Sequence, residues 1–137
     1  MKSYFLPRTT VDNQFYWDGL AAGQLLFQQC KTCGHMRWPA SVICPVCYSS
    51  DYEVVEVSGK GKLYSFVVFR RAFHPKVIDA LPYIVATIDL IEGPRILASI
   101  DYKYYDILVP DMPVVAIWDD EEIEGSIQIP TFVPEGV

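Results

Sequence analysis

Four cysteines carry the clearest chemistry in this 137-residue chain. Cys30, Cys33, Cys44 and Cys47 form two C-x-x-C pairs with ten residues between them, in the run CKTCGHMRWPASVICPVC. Two such knuckles offer four thiolates that can close a tetrahedron round one metal ion. Gly34 follows the first pair, where a tight turn needs positive φ or little bulk. Pro45 stiffens the second. A redox pair of the thioredoxin type wants one C-x-x-C opening a helix, and two disulfides want an oxidising compartment, to which no signal peptide points. A structural site holding Zn2+ is therefore expected, although ligand type leaves a four-thiolate iron site open. With every coordination position taken by protein, such a metal holds structure and does no chemistry. His35 beside it is expected to be a surface-turn residue, since four cysteines already fill the site.

Little else could catalyse. With all cysteines committed, no nucleophilic thiol remains. There are two histidines, and Ser58, Ser65 and Ser99 have no evident His and Asp partners. Gly59-Lys60-Gly61-Lys62 is too short for a phosphate-binding loop. An enzyme acting alone is not expected. The net charge of −6 argues against a general nucleic-acid binder. Yet residues 1–76 carry nine Lys and Arg against five acids, and residues 77–137 two against twelve. A basic first half in an acidic protein suggests a small anion site, or only an uneven solvated surface.

The elements that must position these residues are mostly strands. Val11–Phe27 reads as a short or broken helix, capped by Asp12 or Asn13 and weakened by Gly19 and Gly23. It carries an aromatic cluster, Phe15, Tyr16 and Trp17, suited to core packing or to docking on a partner. Strands are expected at Tyr52–Val57, Lys60–Arg71, Tyr83–Ile91, Arg95–Ile100 and Met112–Trp118. Glu92-Gly93-Pro94 is the turn of a hairpin. Ala72–Pro82 is a loop with a possible helical turn at Val77–Ala80, and Asp119–Glu124 is a charged hairpin tip or loop. Gln128–Val133 closes the chain, and Pro130 makes it an edge element at most. On the second strand, alternation puts Lys62, Tyr64, Phe66, Val68 and Arg70 on one face. Such spacing suggests a small barrel, and the chain after Asp51 is long enough for a five-stranded one of the OB type. No apolar run approaches the roughly 20 residues of a membrane span, and Met1–Thr10 has no apolar signal core. A cytoplasmic protein with no membrane role is expected.

The aromatic helix (FYWDGL), the two cysteine knuckles, VSGKGKLYSF, PYIVATIDLIEG and IPTFVP, in that order, resemble the DUF35 family across about residues 12–134. One departure is VPDMPVV at Val109–Val115, where the family often shows glycine and this chain has Asp111 before Met112. The resemblance implies a mainly β fold: an N-terminal helical segment (1–23), a rubredoxin-like zinc ribbon (24–52) and a C-terminal five-stranded OB-fold barrel (53–137). It implies a non-catalytic accessory subunit of a thiolase-superfamily enzyme, in a hetero-oligomer with a thiolase-fold catalytic subunit. Its role would be to help form the acyl-CoA site for CoA-dependent C–C bond cleavage or formation, as in a β-oxidation-type thiolase of aromatic-compound degradation. Coenzyme A wants cations for its phosphates and apolar walls for its ring and pantetheine. Lys62, Arg70, Arg71, Phe73 and His74 are the candidates, and Phe15, Tyr16 and Trp17 the candidate partner interface. The rival from another class is an OB barrel stacking single-stranded nucleic acid on the same basic and aromatic residues. The acidic second half argues against it.

Overall fold

The computed structural model describes residues 10–71, 75, 81–118 and 130–136. Phe73, His74, the turn at 77–80 and the acidic run 119–124 lie outside them.

Helix α1 spans Gln14–Ala21, with Asn13 as its N-cap residue. The Asn13 side chain turns back to accept from the Thr10 amide (2.6 Å) and makes no capping bond. The helix stops where Gly23 takes φ 78°. Its apolar side, Tyr16 and Leu20, packs with Leu25 and Phe27. Three strands follow in the order β2-β1-β3: β1 Leu26–Cys30, β2 Met36–Arg37 and β3 Tyr52–Glu56, all antiparallel. This sheet frames the cysteines and continues through Glu56.

The remaining strands close a barrel in the order β4-β5-β6-β8-β7, comprising β4 Lys60–Phe69, β5 Tyr83–Leu90, β6 Arg95–Ile100, β7 Pro113–Ile117 and β8 Thr131–Pro134. The fold is mainly β, with a short helix and a closed five-stranded OB-like barrel, as expected. Burial along β5 alternates strictly, so Ile84, Ala86, Ile88 and Leu90 fill the interior. A 3-10 helix, Tyr102–Ile107, bridges β6 and β7, its start capped by Asp101 accepting from the Lys103 amide (2.9 Å). One apolar core runs from Tyr16, Leu20 and Phe27 to Leu63, Ile88, Ile100 and Phe132, so helix, ribbon sheet and barrel share it.

Two expectations are corrected. β8 is no edge: it pairs parallel with β6 and antiparallel with β7, closing the barrel. Pro130 precedes the strand and Pro134 ends it, so neither removes a donor from its middle. On β4, simple alternation fails. The pairing with β5 slips between Leu63 and Ser65, a bulge that leaves Tyr64 unpaired. Lys62 therefore faces out while Phe66 and Val68 turn onto the core, and Lys62 does not share their face.

Gly61 is where β4 passes between β5 and β7. A Cβ there would sit 2.5 Å from the Asp89 carbonyl oxygen and 3.0 Å from Ile88 Cγ2. Backbone cannot swing aside as a side-chain tip can. Gly61→Ala is expected to destabilise the chain by about 1–3 kcal/mol, read from urea unfolding.

Candidate metal centre and flanking surfaces

Each cysteine pair sits on a turn of the same design. In the first, the Cys30 amide donates to the His35 carbonyl (2.8 Å) and the Gly34 amide to the Cys30 carbonyl (3.0 Å). In the second, the Cys44 amide donates to the Ser49 carbonyl (2.9 Å) and the Tyr48 amide to the Cys44 carbonyl (2.9 Å). The equivalent positions Gly34 and Tyr48 both take positive φ, 81° and 65°. Sequence reading found the glycine and missed the tyrosine, because nothing in its type marks a left-handed position. Thr32 Oγ1 to Ser49 Oγ (2.9 Å) ties the two turns together.

This arrangement gathers all four sulfurs within 4.8 Å of one another. Cys30 to Cys47 is 3.5 Å and Cys33 to Cys44 is 3.6 Å. A tetrahedron with metal–sulfur bonds of about 2.3 Å has edges of about 3.8 Å. The set therefore fits a four-thiolate metal ion. The Cys33 amide donates to Cys30 Sγ and holds that thiol well below its usual range. Cys47 moves the other way: the Ser49 amide favours its thiolate, but desolvation and the neighbouring thiols outweigh it. Four thiolates so close need a cation between them. His35 is not part of the set among the described residues.

The other candidates are dispersed. Arg70, at the end of β4, donates from Nη1 to the Tyr102 hydroxyl (3.1 Å). Its guanidinium lies 5.5 Å from the rings of both Tyr102 and Tyr105, which stack at 5.3 Å. Arg71 beside it is exposed. Lys62 is exposed at the other end of β4. There Arg95 lies 3.7 Å over the Tyr64 ring and grips Asp89 at 2.6 Å and 3.3 Å. The tyrosines of the YKYYD run escaped the sequence reading, although aromatics flanking a lysine are a readable signal. Of the helix aromatics, Tyr16 is buried, its ring 6.2 Å from Phe27, and Trp17 meets it edge-on at 5.0 Å. Phe15 is half-buried near Tyr52 (6.5 Å). These rings pack on the core; only parts of Phe15 and Trp17 remain at the surface. Among the described residues, no helix is long and apolar enough to cross a membrane.

Two family models match in tandem: the rubredoxin-like zinc ribbon domain of ChsH2 over residues 17–53 and its C-terminal OB-fold domain over 54–119. A DUF35 domain-containing scaffold protein of Methanocaldococcus jannaschii is 35% identical over 111 residues, covering 79% of this chain and 77% of that protein. The chain belongs to the DUF35 family. A solved structure titled Ltp2-ChsH2(DUF35) aldolase contains a chain similar to this DUF35 protein along nearly its whole length, with a TM-score of 0.82 and 32% identity, covering 94% of this chain and 98% of that one. A probable enoyl-CoA hydratase alpha subunit of Thermomonospora curvata is 33% identical over 128 residues, but the chain spans only 39% of that protein. The benzoylsuccinyl-CoA thiolase subunit BbsA of Thauera aromatica is 38% identical over 73 residues, 49% of its length.

Two outcomes follow from the cysteine geometry. Cys44→Ser, or stripping with a chelator, is expected to remove about one metal ion per chain and expose the amides of 26–56 to hydrogen exchange. Tyr48 is highly exposed, so Tyr48→Gly forfeits little packing and relieves a left-handed side chain. It is expected to raise the thermal midpoint, as a gain of about 0.5–1 kcal/mol would.

Proposed function

We propose that this DUF35 chain is a non-catalytic accessory subunit of a thiolase-superfamily enzyme. It binds the thiolase-fold catalytic subunit and helps to form the acyl-CoA site for C–C bond cleavage or formation, as in a β-oxidation-type thiolase of aromatic-compound degradation. The observation that carries this reading is the end-to-end similarity to the DUF35 chain of the Ltp2-ChsH2 aldolase. A relative named as a thiolase subunit supports it. So does the inventory of groups: the chain's four cysteines form one cluster, which leaves no thiol for acyl transfer.

In this reading Cys30, Cys33, Cys44 and Cys47 hold structural Zn2+, which supplies folding free energy to a ribbon too small to bury a core. Segments 1–23, 24–52 and 53–137 are assigned as helical segment, ribbon and barrel, with β3, Tyr52–Glu56, carrying the ribbon sheet past the second boundary. Arg70 and Arg71, with Lys62, Phe73 and His74, are assigned to the CoA phosphates and ring. The Arg70–Tyr102–Tyr105 stack supports this, since it offers a cation beside flat aromatic faces. Phe15, Tyr16 and Trp17 are assigned to the partner side.

Purification of the tagged chain from its native host, at low expression, is expected to recover a thiolase-fold protein in near-stoichiometric amount. Recovery of nucleic acid with its enzymes, and no thiolase, would make the barrel a nucleic-acid binder instead. In the purified complex, Arg70→Glu is expected to weaken acyl-CoA binding about tenfold, roughly the loss of one charged contact, at unchanged melting temperature. Equal affinity would remove Arg70 from the site.

A further inference from the structure

The outer edge of β3 is open. In the sheet order β2-β1-β3, this strand has a neighbour on one side only. Its register with β1 runs unbroken, from Leu26 opposite Glu56 to Cys30 opposite Tyr52. Antiparallel pairs alternate between those that exchange backbone bonds and those that do not. Two bonds just beyond the strand fix which are which. The Lys31 amide donates to the Asp51 carbonyl (3.0 Å), and the Val57 amide donates to the Leu25 carbonyl (2.9 Å). Asp51 and Val57 are thus turned towards β1, and by the same alternation so are Glu53 and Val55. Tyr52, Val54 and Glu56 point their N–H and C=O groups the other way. Among the described residues no backbone group meets them there. The same three residues are exposed.

Such an edge is a template for another strand, and chains usually blunt it with proline, lysine, a bulge or a covering element. β3 has no proline, no lysine and no bulge. What the stretch 51–59 carries instead is three acids, Asp51, Glu53 and Glu56, with no Lys or Arg. Glu92 adds another at the end of the edge, where its Oε2 accepts from the Ser58 amide (2.8 Å).

This charge selects the occupant. A second copy of β3 would set the same acids against each other, and like charges across a strand pair are destabilising. A phosphate-bearing ligand is repelled. An extended polypeptide with Lys or Arg beside the acids meets both demands, because its backbone satisfies the edge and its cations the carboxylates. The strand is also held ready. The Arg37 guanidinium lies 5.2 Å over the Tyr52 ring, and Phe15 lies 6.5 Å from the same ring. Phe15 belongs to the side assigned to the partner, so the edge continues that surface.

We propose that the β3 edge takes up a basic strand of the catalytic subunit, which extends the ribbon sheet by one strand. The proposal rests on the accessory-subunit reading and deepens it by naming what docks, and where.

The test is residue-resolved amide exchange on the full chain, alone and with the catalytic subunit recovered with it. In the free chain, Tyr52, Val54 and Glu56 are expected to exchange fast, and Glu53 and Val55 slowly. In the complex, the first three are expected to become as slow as the other two. Val54→Pro removes one outward N–H and no bond to β1, at a position where a strand accepts proline. It is expected to weaken the complex about tenfold. Glu53→Lys combined with Glu56→Lys leaves every backbone bond in place and is expected to weaken it about as much. A wild-type complex in which the three amides stay fast overturns the proposal and leaves the accessory-subunit reading standing. Full-strength binding by both variants does the same. Slow exchange of all three in the free chain also overturns it: the edge is then covered by this chain or, where the slowing depends on protein concentration, by a second copy. Failure of the wild-type chain to form any complex overturns both.

Discussion

Burial cannot hold the ribbon together. Between Lys31 and Asp51 only Arg37 and Cys44 are buried, and one of those is charged. No apolar cluster there is large enough to oppose the entropy of ordering some twenty residues. What fixes this stretch is the requirement that four sulfurs share one centre, within 4.8 Å of one another. That requirement sets the two matched turns and brings Ser49 to Thr32. It also sets the path of the chain between the knuckles. Arg37 and Ser41 lie on that path, and their bonds to Gln28 of β1 turn a flexible connection into a wall. The surface beside it inherits its shape from the metal site, with no metal chemistry involved.

The barrel imposes its own constraint, which is closure. Five strands close only if the chain bends sharply in places, and β4, the longest, does most of this. Gly61 lets it pass close over the Asp89 carbonyl, and the bulge at Tyr64 turns it again. Moving Phe66 inward and leaving Tyr64 outside is a result of that bend. So the Arg95–Tyr64 stack at one end of β4 and the Arg70–Tyr102–Tyr105 stack at the other are separate features, not one stripe.

Much of this was legible, and the limits have physical causes. The cysteine set follows from spacing, because two C-x-x-C knuckles ten residues apart bring four sulfurs to one centre. β5 and β6 follow from apolar runs on either side of a turn containing Gly93 at φ 120°, with burial alternating strictly along β5 and running together at Ala98–Ile100 of β6. The family resemblance located Asp111 as the place to look, and Asp111 indeed takes φ 69°, a conformation glycine adopts freely and aspartate tolerates. The two-residue strand β2 was not legible, since two residues carry no period. The β4 bulge was invisible because one extra residue leaves composition unchanged while inverting every face beyond it. β8 was misjudged because proline removes a donor only at its own position, and both prolines stand at the strand's ends.

The pairing of buried groups could not be read from the sequence at all, since pairing is a property of the assembled surface. Tyr16 keeps ring contacts with Phe27 and Trp17, and burial raises its hydroxyl's pKa against a side-chain hydrogen bond with Trp38. Arg37 is held the same way by its own chain, through its bonds to Gln28 and Ser41 and its guanidinium 5.2 Å over the Tyr52 ring. In an accessory subunit the working parts are surfaces. Here ribbon and barrel shape those surfaces together, because one apolar core joins them.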